Sequence, residues 1–153
     1  MRKIRVYVDT SVFGGIQDEE FCEASRRFFK QVHEGEFVVL LSTVTLLELE
    51  KSPDVIKTAW QSLPADSVEI LPIGSDVQEL AEAYVNANVL AASSHNDALH
   101  VAAATVAGAD LILSWSFKHI VNFNRIRGFN SVNVSLGYRT LTILSPLEVS
   151  YDR

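Results

Sequence analysis

A mainly parallel α/β sheet of about five strands, covered by helices on both faces, is the fold class this sequence predicts. Three observations predict it. Short apolar, β-branched runs recur along the chain, at lengths that suit strands better than helices. Between them lie longer stretches with apolar residues at helical spacing. The strand-like runs are also continuously apolar rather than alternating, as strands buried on both faces are. The 153 residues, 48% of them hydrophobic, are enough for one core, and residues 1–153 read as a single domain without repeat, linker or low-complexity segment.

The first strand is Ile4-Arg5-Val6-Tyr7-Val8, which ends on Asp9-Thr10-Ser11. An open α/β sheet places ligand-binding groups at such strand ends. Asp9, Thr10 and Ser11 read equally well as N-caps of whatever helix follows. Gly14-Gly15 marks a loop, and a helix is predicted from about Glu20 to His33, closed by Gly35. Phe37–Leu41 is the second strand. Ser42 and Thr43 then cap a helix that carries Leu46, Leu47, Glu48 and Leu49.

Ser52-Pro53 starts a further helix through about Leu63, and Val68–Leu71 is the third strand. Ser75 or Asp76 opens a helix through about Val89, with Val77, Leu80, Ala81, Tyr84 and Val85 as its inner stripe. Ser93–Asp97 leads into an alanine-rich helix that stops at Gly108. Asp110–Ser114 and Tyr138–Leu144 are the fourth and fifth strands.

Composition narrows the function classes. No apolar run approaches the span of a bilayer, and Met1-Arg2-Lys3 leads straight into a strand without a signal-like segment, so a cytoplasmic, non-membrane protein is expected. Cys22 is the single cysteine, which excludes an internal disulfide and a multi-cysteine zinc site; it reads as a small buried hydrophobe. The net charge of −6 argues against nucleic acid as a partner, but its distribution does not. From Leu111 to Leu147 there is no acid, while Lys118, Arg125, Arg127 and Arg139 all fall there.

Three acids are candidates for chemistry: Asp9 after the first strand, Glu48 in the helix after the second, and Asp97 at the start of the helix before the fourth. Convergence at the sheet's carboxyl edge would give three hard oxygen donors, suited to Mg²⁺ or Mn²⁺ rather than zinc or copper. Each acid has a plainer role open to it. Asp97 fits the last place of a capping box, Ser94-His95-Asn96-Asp97, and Glu48 fits a solvated helix position, as Glu50 does. The histidines add little: His95 and His100 are five apart, not the i, i+4 spacing of a zinc pair, His33 suits a last helical turn, and His119 a solvated surface.

The ordered set of Val6-Tyr7-Val8-Asp9-Thr10-Ser11, Val44-Thr45-Leu46-Leu47-Glu48-Leu49, Asp97–Ala104 and Ala109–His119 resembles the PIN-domain family, in particular its VapC-type toxin ribonucleases. The resemblance spans about Arg5 to Phe123. It implies a three-layer α/β/α fold and a metal-dependent endoribonuclease of a toxin-antitoxin pair, working as a homodimer and silenced by a small antitoxin protein. It assigns Asp9, Glu48 and Asp97 as catalytic, metal-holding residues, with Thr10 and Ser11 orienting the site and products ending in 5′-phosphate and 3′-hydroxyl. Many members carry a fourth acid just after the fourth strand. Here Ser116 stands in that place; it is a third site-orienting residue, able to hydrogen-bond a metal-bound water but without charge, so weaker metal affinity or a single metal is expected.

Lys118, Arg125 and Arg127 are then candidates for holding an RNA backbone, with Trp115 or Phe117 for base stacking and core packing equally open to Trp115. The competing reading is an inactive PIN-like module that binds RNA or protein, which Ser116 favours. A haloacid-dehalogenase-type phosphatase wants a second acid where Ser11 stands. A nucleotide-binding fold lacks both glycine-rich signatures.

Overall fold

The structure, a computed structural model, describes residues 2–150. The strands are β1 (Ile4–Val8), β2 (Phe37–Ser42), β3 (Val68–Leu71), β4 (Leu111–Leu113) and β5 (Thr142–Leu144). The helices are α1 (Thr10–Gly14), α2 (Cys22–His33), α3 (Thr43–Glu50), α4 (Asp54–Gln61), α5 (Ser75–Asn86), α6 (His95–Val106), α7 (Phe123–Ser135) and α8 (Pro146–Ser150). The sheet runs β3-β2-β1-β4-β5 with every pair parallel, so the α/β class and the five strands are as the sequence predicts.

Alternation along β1 divides the core. Val6 and Val8 face Phe13, Phe28, Phe29 and Val32 on one side of the sheet. Tyr7 faces the other side, with Leu80, Tyr84, Ala102, Ala103 and Phe129. The small residues of α6 let that helix lie close on the sheet, and eight consecutive residues from Ala98 to Thr105 are buried. Gly35 and Gly108 close α2 and α6 with φ of +82° and +67°, values that a side chain disfavours.

Several expectations are corrected. Gly14-Gly15 is not a loop: both glycines keep right-handed helical angles, and α1 runs on into a 3₁₀ turn at Gly15–Gln17. Helix α7 escapes the sequence reading because Asn124, Asn130, Ser131 and Asn133 are poor helix formers. It is held by Asn122, whose side-chain oxygen accepts the Asn124 and Arg125 N–H groups at 3.1 and 3.3 Å. The fifth strand is shorter than predicted because Asn130 of α7 takes over Leu141. Its side chain accepts the Leu141 N–H at 2.7 Å and donates to the Leu141 carbonyl at 3.1 Å, in place of a ladder. Cys22 is half-buried at the start of α2 rather than inside the core.

Candidate active site

From β1 the chain moves outward to β2 and β3, then crosses back to place β4 on the other side of β1. The crevice beyond the carboxyl ends of β1 and β4 is therefore the switch point of the sheet, where open α/β folds bind ligands. Asp9 stands there, tied by its own N–H to the Leu113 carbonyl of β4 at 3.0 Å. Its carboxylate makes no N-cap bond to α1. Instead Oδ2 accepts the hydroxyls of Ser11 and Ser114, each at 2.7 Å. Those hydroxyls in turn accept the N–H groups of Trp115 and Ser116, both at 2.9 Å, so their protons point at Asp9. The acid is 5% exposed and held as an acceptor.

Glu48 reaches the crevice from α3, whose start is fixed by a capping box between Ser42 and Thr45. Its Oε1 accepts the Thr10 hydroxyl at 2.6 Å and meets His100 Nε2 at 2.7 Å. Unlike the exposed Glu50, it is half-buried. Burial works to raise its pKa, but the hydrogen bonds of His100 and Thr10, the charge of His100 and a contact from Asn96 outweigh it, and the net shift is downward.

His100 lies at the centre of the site and is 1% exposed. Its Nδ1 is 2.7 Å from the Tyr7 hydroxyl, which also contacts Ser42 Oγ at 2.8 Å. Its Nε2 is 3.6 Å from Asp9 Oδ1. Burial would lower its pKa, but Tyr7, Glu48 and Asp9 together push it up to about 10.

Asp97, in the first turn of α6, does not serve as a cap; no side chain caps that helix. Its Oδ2 pairs with His119 Nδ1 at 3.0 Å, so His119 is not simply solvated. Burial first, and then the charge of Asp9, raise the Asp97 pKa against the opposing pull of His119 and His100. Asp9 and Asp97 are therefore near enough to repel. Asp110 stands at the opposite sheet edge, ion-paired with Arg2 at 2.9 Å.

Ser116 lies beside the site, not on Asp9: its hydroxyl accepts the His119 N–H at 3.4 Å, while Ser114 makes the bond to the acid. Lys118 is exposed beside His119. Arg125 donates to the Val89 carbonyl, and the Arg127 guanidinium lies 5.5 Å over the Phe123 ring. Trp115 is buried, stacked on Phe21 at 4.1 Å and donating Nε1–H to Ser25 Oγ at 2.8 Å, so it is a core residue. Phe117 is 45% exposed.

Three hard carboxylates, two of which repel each other against the partial relief of His119 and His100, are oxygen donors of the kind a divalent cation such as Mg²⁺ or Mn²⁺ takes. They are held singly: among the described residues no three Asp, Glu, His or Cys side chains close into a compact metal cluster. Sequence reasoning passed over His100, Ser114 and Tyr7. The signal was the i, i+3 spacing of Asp97 and His100, which puts both on one face of α6. Comparing His100 with His95 drew attention to the wrong pair.

The PIN domain family matches residues 6–114, a span that contains Asp9, Glu48, Asp97 and Ser114. No curated protein matches the chain. Among solved structures, VapBC2 from Rickettsia felis bound to a promoter DNA fragment is similar at a TM-score of 0.60 and 12% identity, over 93% of this chain and 98% of that one. FitAcB from Neisseria gonorrhoeae gives a TM-score of 0.56 at 15% identity, over 94% and 99%. Tyrosyl-tRNA synthetase from Aeropyrum pernix gives 0.51 at 14% identity, over 93% of this chain and 52% of that one. At such identities the likeness is one of fold.

Proposed function

The chain belongs to the PIN-domain family, and from that premise we propose that it is a divalent-metal-dependent endoribonuclease of the VapC toxin type. The observation that carries the proposal is that Asp9 and Glu48 flank one buried side chain, His100, at 3.6 and 2.7 Å, with Asp97 near enough for the charge of Asp9 to raise its pKa. These residues would hold the metal. Bound there, the cation supplies Lewis-acid polarisation of the scissile phosphate and activation of a water.

The protein's own groups do the rest. Ser11 and Ser114 orient Asp9, Thr10 and His100 fix Glu48, and His119 holds Asp97. Pre-oriented acids need no rearrangement when substrate arrives. Lys118 stands free beside the pocket to meet a phosphate, and the exposed ring of Phe117 offers a face for a base. Arg125 and Arg127 extend positive charge along α7. The VapBC2 and FitAcB complexes support a small antitoxin protein as partner, and the homodimer as working form rests on the family resemblance.

Ser116, in the place where related sequences carry a fourth acid, favours a second reading: a PIN-like module that binds RNA or protein without cutting. Cleavage of an end-labelled RNA pool with Mg²⁺ or Mn²⁺, wild type beside Asp97→Asn, distinguishes the two. Metal-dependent cutting lost in the variant supports the nuclease. Folded, partner-free protein that leaves every RNA intact with both metals supports the binding module.

A further inference from the structure

Between the end of α5 and the start of α7 lies a pocket of about 430 Å³. Its lining includes Asn88, Asn122, Asn124 and Arg125, the last its only charged side chain. One short segment joins it to the acids. His119 pairs with Asp97 at 3.0 Å, and further along the same segment Asn122 Nδ2 donates to the Phe117 carbonyl at 3.3 Å. Asn122 Oδ1 already accepts the Asn124 and Arg125 N–H groups, so side chains rather than the helix terminus supply the pocket's chemistry. Arg125 is anchored through Nη1 to the Val89 carbonyl, which leaves most of its five N–H donors uncommitted to that bond.

Asn88 turns the chain out of α5 with a φ of +61°. Its N–H donates to the Val85 carbonyl and that of Val89 to the Tyr84 carbonyl, both at 3.0 Å. These are backbone bonds, which glycine makes there with least strain. Glycine does stand at the other left-handed positions, Gly35, Gly108 and Gly137. Among the described residues, Asn88 alone carries a side chain at such a position, and there it lines the pocket with Asn124, both exposed. A side-chain amide presents a donor and an acceptor together, the pattern found on the edge of an unpaired base.

We propose that this pocket is a second RNA subsite, which holds one unpaired nucleotide flanking the cut. The Arg125 guanidinium takes the phosphate, and the amides of Asn88 and Asn124 take the base edge. The inference rests on the ribonuclease reading above and adds single-stranded substrate to it. In an RNA duplex those base edges are paired, or lie in a groove that side chains cannot read. No acid in the lining repels the phosphate.

The test is fluorescence anisotropy of a labelled single-stranded RNA pool, and of the same pool annealed to its complement, with the full chain in chelator. The variants are Asn88→Gly, Asn124→Ala, Arg125→Gln and, beside Asp110 at the opposite sheet edge, Arg139→Gln. Each asparagine variant should weaken single-strand binding about 2- to 10-fold, the net effect of one hydrogen bond. Arg125→Gln should weaken it further and make it less steep in salt, while Arg139→Gln leaves it unchanged. Glycine suits φ of +61°, so Asn88→Gly should melt no lower than wild type. A merely structural asparagine would give that same melting with no loss of RNA. Asn88→Gly and Asn124→Ala that both bind as wild type overturn the inference, as does duplex bound as tightly as single strand, or an equal loss in Arg139→Gln. Wild type that binds neither RNA overturns it too; only if the protein also leaves the pool uncut with Mn²⁺ does the ribonuclease reading fall.

Discussion

Ser114 Oγ donates to Asp9 Oδ2 at 2.7 Å, joining residues 105 positions apart in sequence. The bond locks the ends of two neighbouring strands to one carboxylate. A hydrogen bond to a buried charged group contributes about 1.5–3 kcal/mol. Ser114→Ala should lower unfolding stability by roughly that amount. Denaturant titration of the metal-free protein measures it, and a loss below about 0.5 kcal/mol would show that Ser11 alone suffices.

Asp97 should trade stability for function. Its raised pKa, from burial and the charge of Asp9, means that ionisation costs the fold. The cost begins as pH rises past the unfolded value and is complete above the folded one. Asp97→Asn should therefore melt higher than wild type at neutral pH in chelator, and lose the rise in melting temperature that Mn²⁺ gives the wild type. A variant that melts lower in chelator would mean that the His119 pair outweighs the repulsion.

His100 gives the opposite pH signature. Burial opposes its charge, but Tyr7, Glu48 and Asp9 lift its pKa from 6.5 to about 10. Stability from the imidazolium is full below about pH 6.5 and is lost as pH rises through about 10. In chelator the wild type should lose stability across that window more steeply than His100→Gln. Equal slopes would place the titrating group elsewhere.

Gly15 should tolerate no side chain. A Cβ there would lie 2.5 Å from Ser25 Oγ and 2.7 Å from Trp115 Nε1, the pair whose hydrogen bond seats the indole. Gly15→Ala should cost about 1–3 kcal/mol, as overpacking does, and shift the tryptophan fluorescence. Gly14, with nothing near its would-be Cβ, is the control.

Asn130→Ala should loosen the edge of the sheet. It removes both side-chain bonds to Leu141 and exposes the start of β5. A loss of about 1–3 kcal/mol is expected, with faster amide exchange at Leu141 than at Ile143.

The sheet was legible because parallel strands buried on both faces leave short, β-branched apolar runs such as Phe37–Leu41, too short for a buried helix. Helix α7 was not, since its stability comes from packing Phe129 and Asn133 inward and from Asn122 at its start, against weak propensity. Of the site, the positions of Asp9 and Glu48 followed from strand ends, and the nearness of Asp97 to Asp9 required the resemblance. The hydrogen bonds that orient them did not show, because Ser114 and His100 join them only through contacts 105 and 52 positions away. Burial of a polar side chain is a tertiary fact with no local signature.

The strand order has a consequence for the chain's birth. β1 is made first, yet its neighbour β4 is made only after α6, and with β4 come Ser114 and His119. A chain emerging from the ribosome therefore carries Asp9 and Glu48 long before the groups that fasten Asp9 and Asp97 exist. Assembly must await a late, long-range strand pairing, the slow kind of folding step. A site built this way is completed only when the last of its strands has left the ribosome and paired.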